Sequence, residues 1–332
     1  MKLLVVFTAF VALCAGDSNT TFPGDNSQYV EGESRYIWML DDDGKQIQVD
    51  LLEPVDYELI KRHNGADNQY WLYTRFDPNN PQIIVDGDAN TIWSSNYNAN
   101  HSIEVIVHGW MGNRNTEMNP LITSAFLAVQ DTNVIVVDWS AVARFNYVTA
   151  VCAVPNVGRY LGNFLSWLIN TAGGNWNKVH LVGHSLGAHV VGNAGRTASN
   201  LPIRVTGLDP AGPLWVGNHN ALNWNDGQYV EAIHTDGGGL GIFYPIANVD
   251  FYVNGGMNPQ PGCWVDTCSH RRSTELFAST VRFNHLVGRQ CNDACQAVIC
   301  KCNGKTLDMG NSVLNKTGNG IYCLSTGERW PF

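Results

Sequence analysis

The sequence predicts an α/β fold in which a mostly parallel central sheet carries helices on both faces. Two observations support this prediction. From residue 69 onward, apolar runs of strand length alternate with segments of helical periodicity, and this alternation is typical of parallel sheets. One apolar run, Val179–Val182, leads into Gly183-His-Ser-Leu-Gly187, which is the pattern of a serine on a sharp turn between a strand and a helix.

The predicted strands are apolar runs bounded by polar or glycine-rich loops. They are Tyr70–Arg75, Ile103–Val107, Val134–Val137, Val179–Val182, Ile203–Leu208 and Val230–His234. The clearest helix has its apolar side chains on one face between Val157 and Leu168, and Pro155 is expected in its first turn. Reactive groups in such sheets lie at the carboxyl ends of strands, and Ser185 meets that condition.

The N-terminal part of the chain predicts export. Residues 1–16 have the charged start, short apolar centre and small-residue end of a secretory signal peptide. Residues 17–35 are rich in Asp, Asn, Ser and Gly, and we expect an unstructured, removable pro-segment that ends at Arg35. Residues 36–332 form the single predicted domain. No later apolar run is long enough to cross a bilayer, so we expect a secreted, extracellular monomer.

Charge and cysteine content narrow the class of protein. A net charge of -9 without a basic stretch argues against nucleic-acid binding. Nine cysteines include Cys14 of the signal peptide, and the even number that remains predicts disulfides. The others are Cys152, Cys263, Cys268, Cys291, Cys295, Cys300, Cys302 and Cys323. The group from Cys291 to Cys302 lacks a histidine or a Cys-x-x-Cys pair, which argues against zinc. Asn19, Asn100 and Asn315 begin glycosylation triplets.

A nucleophilic serine needs a base, and the base needs an acid that orients it. Asp209 follows the run Ile203–Leu208 and comes after the serine, so it is the preferred acid. Asp138 also ends a strand but precedes the serine, and it ranks second. The base is one of the downstream histidines, and sequence spacing does not separate His234 from His270.

The transition state of acyl transfer to a serine also needs two hydrogen-bond donors for the oxyanion. One is expected to be the backbone N–H of Leu186, which follows the serine. The loop after Ile103–Val107 supplies the other, because Gly109 allows close approach and the Trp110 N–H then points to the site. His108 is expected to be structural.

Four motifs in the same order resemble those of the pancreatic lipase family, an exported branch of the α/β-hydrolases. They are Gly183-His-Ser-Leu-Gly-Ala-His-Val-Val-Gly192, Gly207-Leu-Asp-Pro-Ala-Gly-Pro213, Ile233-His-Thr-Asp236 and Cys268-Ser-His-Arg-Arg-Ser273. The resemblance runs from about residue 36 to the C-terminus. It implies an α/β-hydrolase fold, a triad of Ser185, Asp209 and His270, and an oxyanion hole formed by Trp110 and Leu186.

Departures from the family pattern bear on the substrate. The resemblance implies a lid disulfide between Cys263 and Cys268, with only Trp264-Val-Asp-Thr267 between them. The preceding loop, residues 237–249, is also shorter than in triacylglycerol lipases. In this family short lids and loops accompany phospholipase A1 and galactolipase activity. Triacylglycerol hydrolysis is the alternative, and a non-catalytic lipid-binding or storage protein is the rival from another class.

The resemblance also bears on partners and cofactors. The residues after Cys323 are too few for the second, β-sandwich domain of larger family members. Because the colipase-like partner docks on that domain, we expect no such partner. Residues 220–228 would hold the family's calcium but contain only Asp226 as a carboxylate, so we expect no metal or other cofactor. The expected partner is lipid at a membrane, micelle or emulsion surface. Apolar residues expected near the mouth are Trp110, Leu214, Trp215, Phe243, Tyr244 and Trp264.

Overall fold

The computed structural model describes residues 22–40 and 44–332, so the predicted signal peptide, residues 1–16, lies outside the described residues. The strands are β1 (Tyr36–Leu40), β2 (Gln46–Asp50), β3 (Gln69–Thr74), β4 (Asp77–Ile84), β5 (Ser102–Val107), β6 (Thr132–Asp138), β7 (Val179–His184), β8 (Arg204–Leu208), β9 (Val230–His234), β10 (Val249–Val253), β11 (Val287–Cys291), β12 (Thr306–Asp308) and β13 (Gly320–Leu324). The α-helices are α1 (Tyr57–Arg62), α2 (Ala89–Trp93), α3 (Met118–Val129), α4 (Ser140–Ala143), α5 (Tyr147–Ala172), α6 (Leu186–Thr197), α7 (Asp266–Phe283) and α8 (Ala294–Val298).

The central sheet has eleven strands in the order β12-β11-β13-β10-β9-β8-β7-β5-β6-β3-β4. Its middle, from β13 to β6, is parallel throughout, and the strands outside it pair antiparallel. Strands β1 and β2 form a separate antiparallel pair. This arrangement confirms the predicted mostly parallel α/β sheet.

Helices cover both faces of this sheet because successive side chains of each strand point to opposite sides. Val105 and Val107 of β5 belong to the core that includes α5 and α6. Ile106, between them, belongs to the core on the other face, which includes α3 and α7. Strand β5 is therefore buried on both sides, as parallel strands covered by helices require. Within the described ranges, no helix is both long and apolar enough to cross a membrane.

Helix α5 differs from its prediction, because it begins well before Pro155 and contains that proline in its interior. The Asn146 side chain caps the helix by accepting a hydrogen bond from Thr149 N at 2.8 Å. Ala150 and Val154 are buried ahead of the proline. This burial offsets the hydrogen bond that a proline removes from a helix.

The described part of the predicted unstructured segment, residues 22–35, is packed onto the domain, so that expectation was wrong for these residues. Asn26 exchanges two hydrogen bonds with the backbone of Trp38, at 2.8 and 2.9 Å. Its own N–H donates to Asp266 at 3.1 Å, and Glu31 accepts from Leu214 N at 3.2 Å. A polar composition therefore accompanies fixed hydrogen bonds here. Cleavage after Arg35 stays a prediction.

Three disulfides are present in the described part of the chain. They join Cys263 to Cys268, Cys291 to Cys302, and Cys300 to Cys323. Cys152 and Cys295 are free and exposed, so the even number of cysteines does not translate into complete pairing. Of the cysteines between Cys291 and Cys302, all but Cys295 are disulfide-bonded, either to one another or to Cys323 of β13.

Candidate active site

Ser185 lies in the turn between β7 and α6 with a φ of +56°. This is an uncommon conformation for a residue with a side chain, and its cost has to be met by the surrounding structure. A Cβ on Gly183 would overlap the backbone of Gly187, and a Cβ on Gly187 would overlap the Val107 carbonyl. The two glycines therefore allow the turn to pack tightly, while Ser185 stays partly exposed at the cleft.

Asp209 directly follows β8 and is completely buried, with a φ of +40°. Its Oδ1 accepts hydrogen bonds from the backbone N–H groups of Thr235, at 2.7 Å, and Asp236, at 3.0 Å. Its Oδ2 lies 2.6 Å from His270 Nδ1. One carboxylate oxygen is thus held by backbone and the other is directed to the histidine.

His270 lies in the second turn of α7 and shares the cleft with Ser185. The ring of His184 lies 4.6 Å from the His270 ring, between centroids. Burial lowers the pKa of His184 well below its usual value, and the nearby His270 acts in the same direction. His184 is therefore neutral, so it adds no positive charge next to His270 at neutral pH.

Asp236 is a further buried carboxyl beside Asp209. Burial raises its pKa well above the ordinary value, and the carboxylates of Asp209 and Asp266 act in the same direction. Asp236 is therefore less readily ionised than an ordinary aspartate, which limits the negative charge placed next to Asp209.

The rival acid and base that the sequence left open occupy different environments. His234 is fully buried, with its ring nitrogens 2.8 Å from Ile242 O and 2.9 Å from Asp250 Oδ1. Asp138 accepts hydrogen bonds from Ser140 N at 2.9 Å and Arg114 N at 3.1 Å. The structure brings Asp209 and His270 together and leaves His234 and Asp138 in structural contacts.

The loop after β5 lies against the nucleophile turn. A Cβ on Gly109 would be 2.9 Å from Ser185 Cβ, so only glycine permits this approach. Within the part of the chain that the structure describes, the N–H groups of Trp110 and Leu186 have no hydrogen-bond acceptor. Two unpaired donors beside the serine are what an oxyanion requires. Met111, at a φ of +58°, donates to Ala143 O at 3.0 Å and fixes the loop.

His108 is buried and holds this loop, as the sequence predicted. Its Nδ1 lies 2.9 Å from Gly109 O, and its Nε2 accepts from Trp139 N at 3.2 Å. Trp139 Nε1 in turn donates to His108 O at 2.8 Å. Both ring nitrogens are occupied, so His108 supports the loop and has no nitrogen left for a substrate proton.

Ser185 and His270 open into a cleft of about 390 Å³. Its lining combines apolar side chains, such as Met39 and Leu121, with charged ones. Of the aromatic residues expected near the mouth, Trp110 lines the cleft. Trp215 is instead buried and stacks on His189, at 3.9 Å between ring centroids, so its expected place was wrong.

The short lid is closed by the Cys263–Cys268 disulfide, and Trp264 between these cysteines is 93% exposed. Tyr244 is exposed as well, whereas Phe243 and Leu214 are only partly so. Within the described residues, Trp264 belongs to none of the hydrophobic clusters.

The segment that would hold the family's calcium is occupied by an arginine. Arg196 Nε donates to Asp226 Oδ1 at 2.6 Å, and its Nη2 donates to Asp226 Oδ2 at 3.1 Å. The same guanidinium donates to the carbonyls of His219, Asn220 and Ala221 at 3.1, 3.3 and 2.6 Å. A hard cation would need these oxygens as ligands, but they already accept hydrogen bonds from Arg196. The residues present therefore do not fit calcium.

His189 joins α6 to the same region. Its Nδ1 accepts from Leu222 N at 3.0 Å, and its Nε2 lies 2.9 Å from Ala211 O. Burial lowers the pKa of His189 to about 3, so the ring is neutral and can accept at one nitrogen while donating at the other. Helix α6, which begins after the serine, is thereby tied to the loop that follows Asp209.

Sequence reasoning missed two residues that shape this site. A Cβ on Gly241 would lie 2.5 Å from Asp209 Oδ2, so glycine is required there. The glycine-rich run 237–241 was the signal available for it. Arg196 gave no signal, because its partners lie 23 to 30 positions away along the chain.

Comparison with known proteins extends the motif resemblance. A sequence model of the family described as Lipase matches residues 42–332. The chain is 32% identical over 303 residues to pancreatic triacylglycerol lipase of Mus musculus, which covers 80% of this chain and 65% of that protein. It is 37% identical over 234 residues to phospholipase A1 member A of Mus musculus, covering 67% of this chain and 50% of that protein. The chain thus spans between half and two thirds of these relatives, and it belongs to the pancreatic lipase family.

Proposed function

We propose that this chain is a secreted serine esterase that hydrolyses fatty-acyl esters of glycerolipids. The favoured substrate is a phospholipid or galactolipid cleaved at its sn-1 position. The observation that carries the proposal is the 2.6 Å contact between Asp209 Oδ2 and His270 Nδ1, at a cleft that both Ser185 and His270 line. A carboxylate, an imidazole and a strained serine in this order have the chemistry of acyl transfer.

The reaction proceeds in two halves. His270 accepts the hydroxyl proton of Ser185 as the serine oxygen bonds to the ester carbonyl carbon. The N–H groups of Trp110 and Leu186 stabilise the oxyanion, and the alcohol leaves with the proton that His270 returns. Water then attacks the acyl-serine with His270 again as base, the fatty acid departs, and the serine hydroxyl is restored.

Asp209 stabilises the imidazolium that forms during both halves. Because two backbone N–H groups hold its Oδ1, the carboxylate cannot turn away from His270. It keeps the proton of the histidine on Nδ1 in the resting state, so that the other nitrogen is available as a base.

The substrate class rests on the lid and on the relatives. Only four residues lie between Cys263 and Cys268, which is too short for an amphipathic helix that would cover the cleft. An open cleft favours a polar lipid presented at a membrane. One relative is named a phospholipase A1 and another a triacylglycerol lipase, so triacylglycerol is the second candidate. A non-catalytic role is disfavoured, because Ser185, Asp209 and His270 are all present.

Export is part of the proposal. The signal-peptide pattern of residues 1–16 and the three disulfides support it. Asn100 and Asn315 are exposed and accessible to glycosylation. We further propose a monomer that acts on a lipid surface without a colipase-like partner or a metal.

Replacement of the serine tests the proposal. Ser185→Ala should lower kcat by about a million-fold on every ester, because the nucleophile is lost. Release of sn-1 fatty acid from phosphatidylcholine, compared with release from triolein, measures both activity and preference. Ser124→Ala, at an exposed serine of α3, is the matched control and should retain the parent rate. A Ser185→Ala variant that is folded by circular dichroism and hydrolyses at the parent rate would refute the mechanism.

A further inference from the structure

The rim of the cleft carries one pair of opposite charges next to His270. Arg271 Nη1 lies 3.6 Å from Glu117 Oε2, and both residues line the cleft that contains Ser185. Among the described residues that line this cleft, Arg271 is the only lysine or arginine. Exposed ion pairs contribute little to the free energy of unfolding, so stability alone does not explain the presence of this pair.

Arg271 is available to a ligand in a way that its neighbour Arg272 is not. Arg272 is 7% exposed, its Nη1 donates to Pro261 O at 2.8 Å, and its guanidinium lies 4.9 Å from the Phe332 ring centroid. Arg271 is 53% exposed. Its side chain makes no hydrogen bond with any residue in the described ranges, and its contact with Glu117 is longer than a charge-assisted hydrogen bond.

The two glutamates that line the cleft also differ in whether they already have a close partner. Glu275 Oε2 lies 2.9 Å from Arg272 Nε, so it already neutralises a buried cation. Glu117 is 78% exposed, and its contact in the described part of the chain is the weak pair with Arg271. The rim therefore offers one positive and one negative group, side by side, to a molecule whose ester has reached Ser185.

We propose that Arg271 and Glu117 bind the headgroup of a zwitterionic glycerophospholipid, with the phosphate on Arg271 and the ammonium on Glu117. This inference rests on the proposed function and narrows its substrate class. A planar guanidinium can donate two parallel hydrogen bonds to phosphate oxygens, and a carboxylate complements an ammonium group. Such a headgroup replaces the ion pair charge for charge and leaves neither side chain unpaired.

Other lipids match the rim less well. An anionic phospholipid without an ammonium group satisfies Arg271 but places its phosphate near Glu117. A galactolipid or an acylglycerol has no charge for either residue. Selectivity then comes from the differences between these lipids in affinity for the rim, not from the chemistry at Ser185.

The experiment measures kcat/KM in mixed detergent micelles for three lipids with the same acyl chains: phosphatidylcholine, phosphatidylglycerol and diacylglycerol. Arg271→Gln should lower the rate on both phospholipids about tenfold relative to diacylglycerol, the effect of one lost charged hydrogen bond. Glu117→Gln should lower kcat/KM for phosphatidylcholine relative to diacylglycerol, and it should raise kcat/KM for phosphatidylglycerol relative to diacylglycerol. Arg282→Gln, at an exposed arginine in the last turn of α7, is the control and should change neither ratio.

The outcomes separate this inference from the proposed function. If Arg271→Gln lowers the rates on all three lipids equally, Arg271 only positions His270 and the headgroup assignment is wrong. The assignment is also wrong if the parent hydrolyses diacylglycerol but shows no preference for phosphatidylcholine, and the esterase mechanism then stands. If the parent cleaves none of the three lipids, the proposed function itself fails.

Discussion

The floor of the cleft, where Ser185 and His270 lie with Asp209 behind them, is held by different contacts from its rim, which carries Arg271 and Glu117. At the floor, backbone groups fix Asp209, and a Cβ on Gly241 would lie 2.5 Å from its carboxylate. At the rim, Arg271 is 53% exposed and lies 3.6 Å from Glu117, and Trp264 of the lid is 93% exposed. The floor cannot change without moving reacting groups. The rim can change without moving those groups, which is why we propose that substrate choice depends on it.

The strongest test of the floor removes the charge of its acid. Asp209→Asn should lower kcat about ten-thousand-fold, because the amide can donate to His270 and so favour the wrong tautomer. The measurement is kcat on a soluble short-chain ester, with folding checked by circular dichroism. Asp138→Asn is the matched control at another strand end, and its kcat should stay within tenfold of the parent. A larger loss for Asp138→Asn than for Asp209→Asn would reverse the assignment of the acid.

A second test concerns the ion pair between Arg196 of α6 and Asp226. Arg196→Met leaves Asp226 buried without its cation, and removal of one partner from such a pair costs about 3 kcal/mol. Urea unfolding should show this loss in the free energy of unfolding. The structure also predicts that a chelator leaves the parent's unfolding midpoint unchanged, because the guanidinium occupies the oxygens. A parent protein that loses stability in the chelator would show that a metal holds this loop after all.

The same contrast explains what the sequence could predict. The glycines around Ser185 and the strand-end position of Asp209 are local patterns, because backbone constraints at the floor restrict which residues fit. Contacts between side chains leave no local pattern. Arg271 pairs with Glu117 across 154 positions of the chain, and Asn26 reaches Asp266 across 240. Their proximity depends on how α3, α7 and the N-terminal segment pack, which periodicity alone does not determine.

The outer strands β4, β11 and β12 were missed for a related physical reason. Strand β11 alternates exposed and buried residues, and in β4 only Ile84 is buried. Apolar content signals strands that are buried on both faces, such as β5, whereas edge strands are held by backbone hydrogen bonds that any residue except proline can make. The predicted runs match β3 and β5 to β9, whereas the outer strands β4, β11 and β12 were missed, and so were β10 and β13 in the parallel part of the sheet.

The smallest expected effect concerns the lid. Trp264→Ala should lower the rate on phosphatidylcholine vesicles a few-fold, because an exposed indole gains free energy by entering the interface between lipid and water. The rate on a soluble short-chain ester should not change, since Trp264 does not line the described cleft. Trp93→Ala is the control, because Trp93 is also exposed, at 68%, but lies on α2 outside the described cleft. Equal losses on vesicles and on the soluble ester would mean that Trp264 affects the catalytic residues themselves. The contrast between floor and rim would then not extend to the lid.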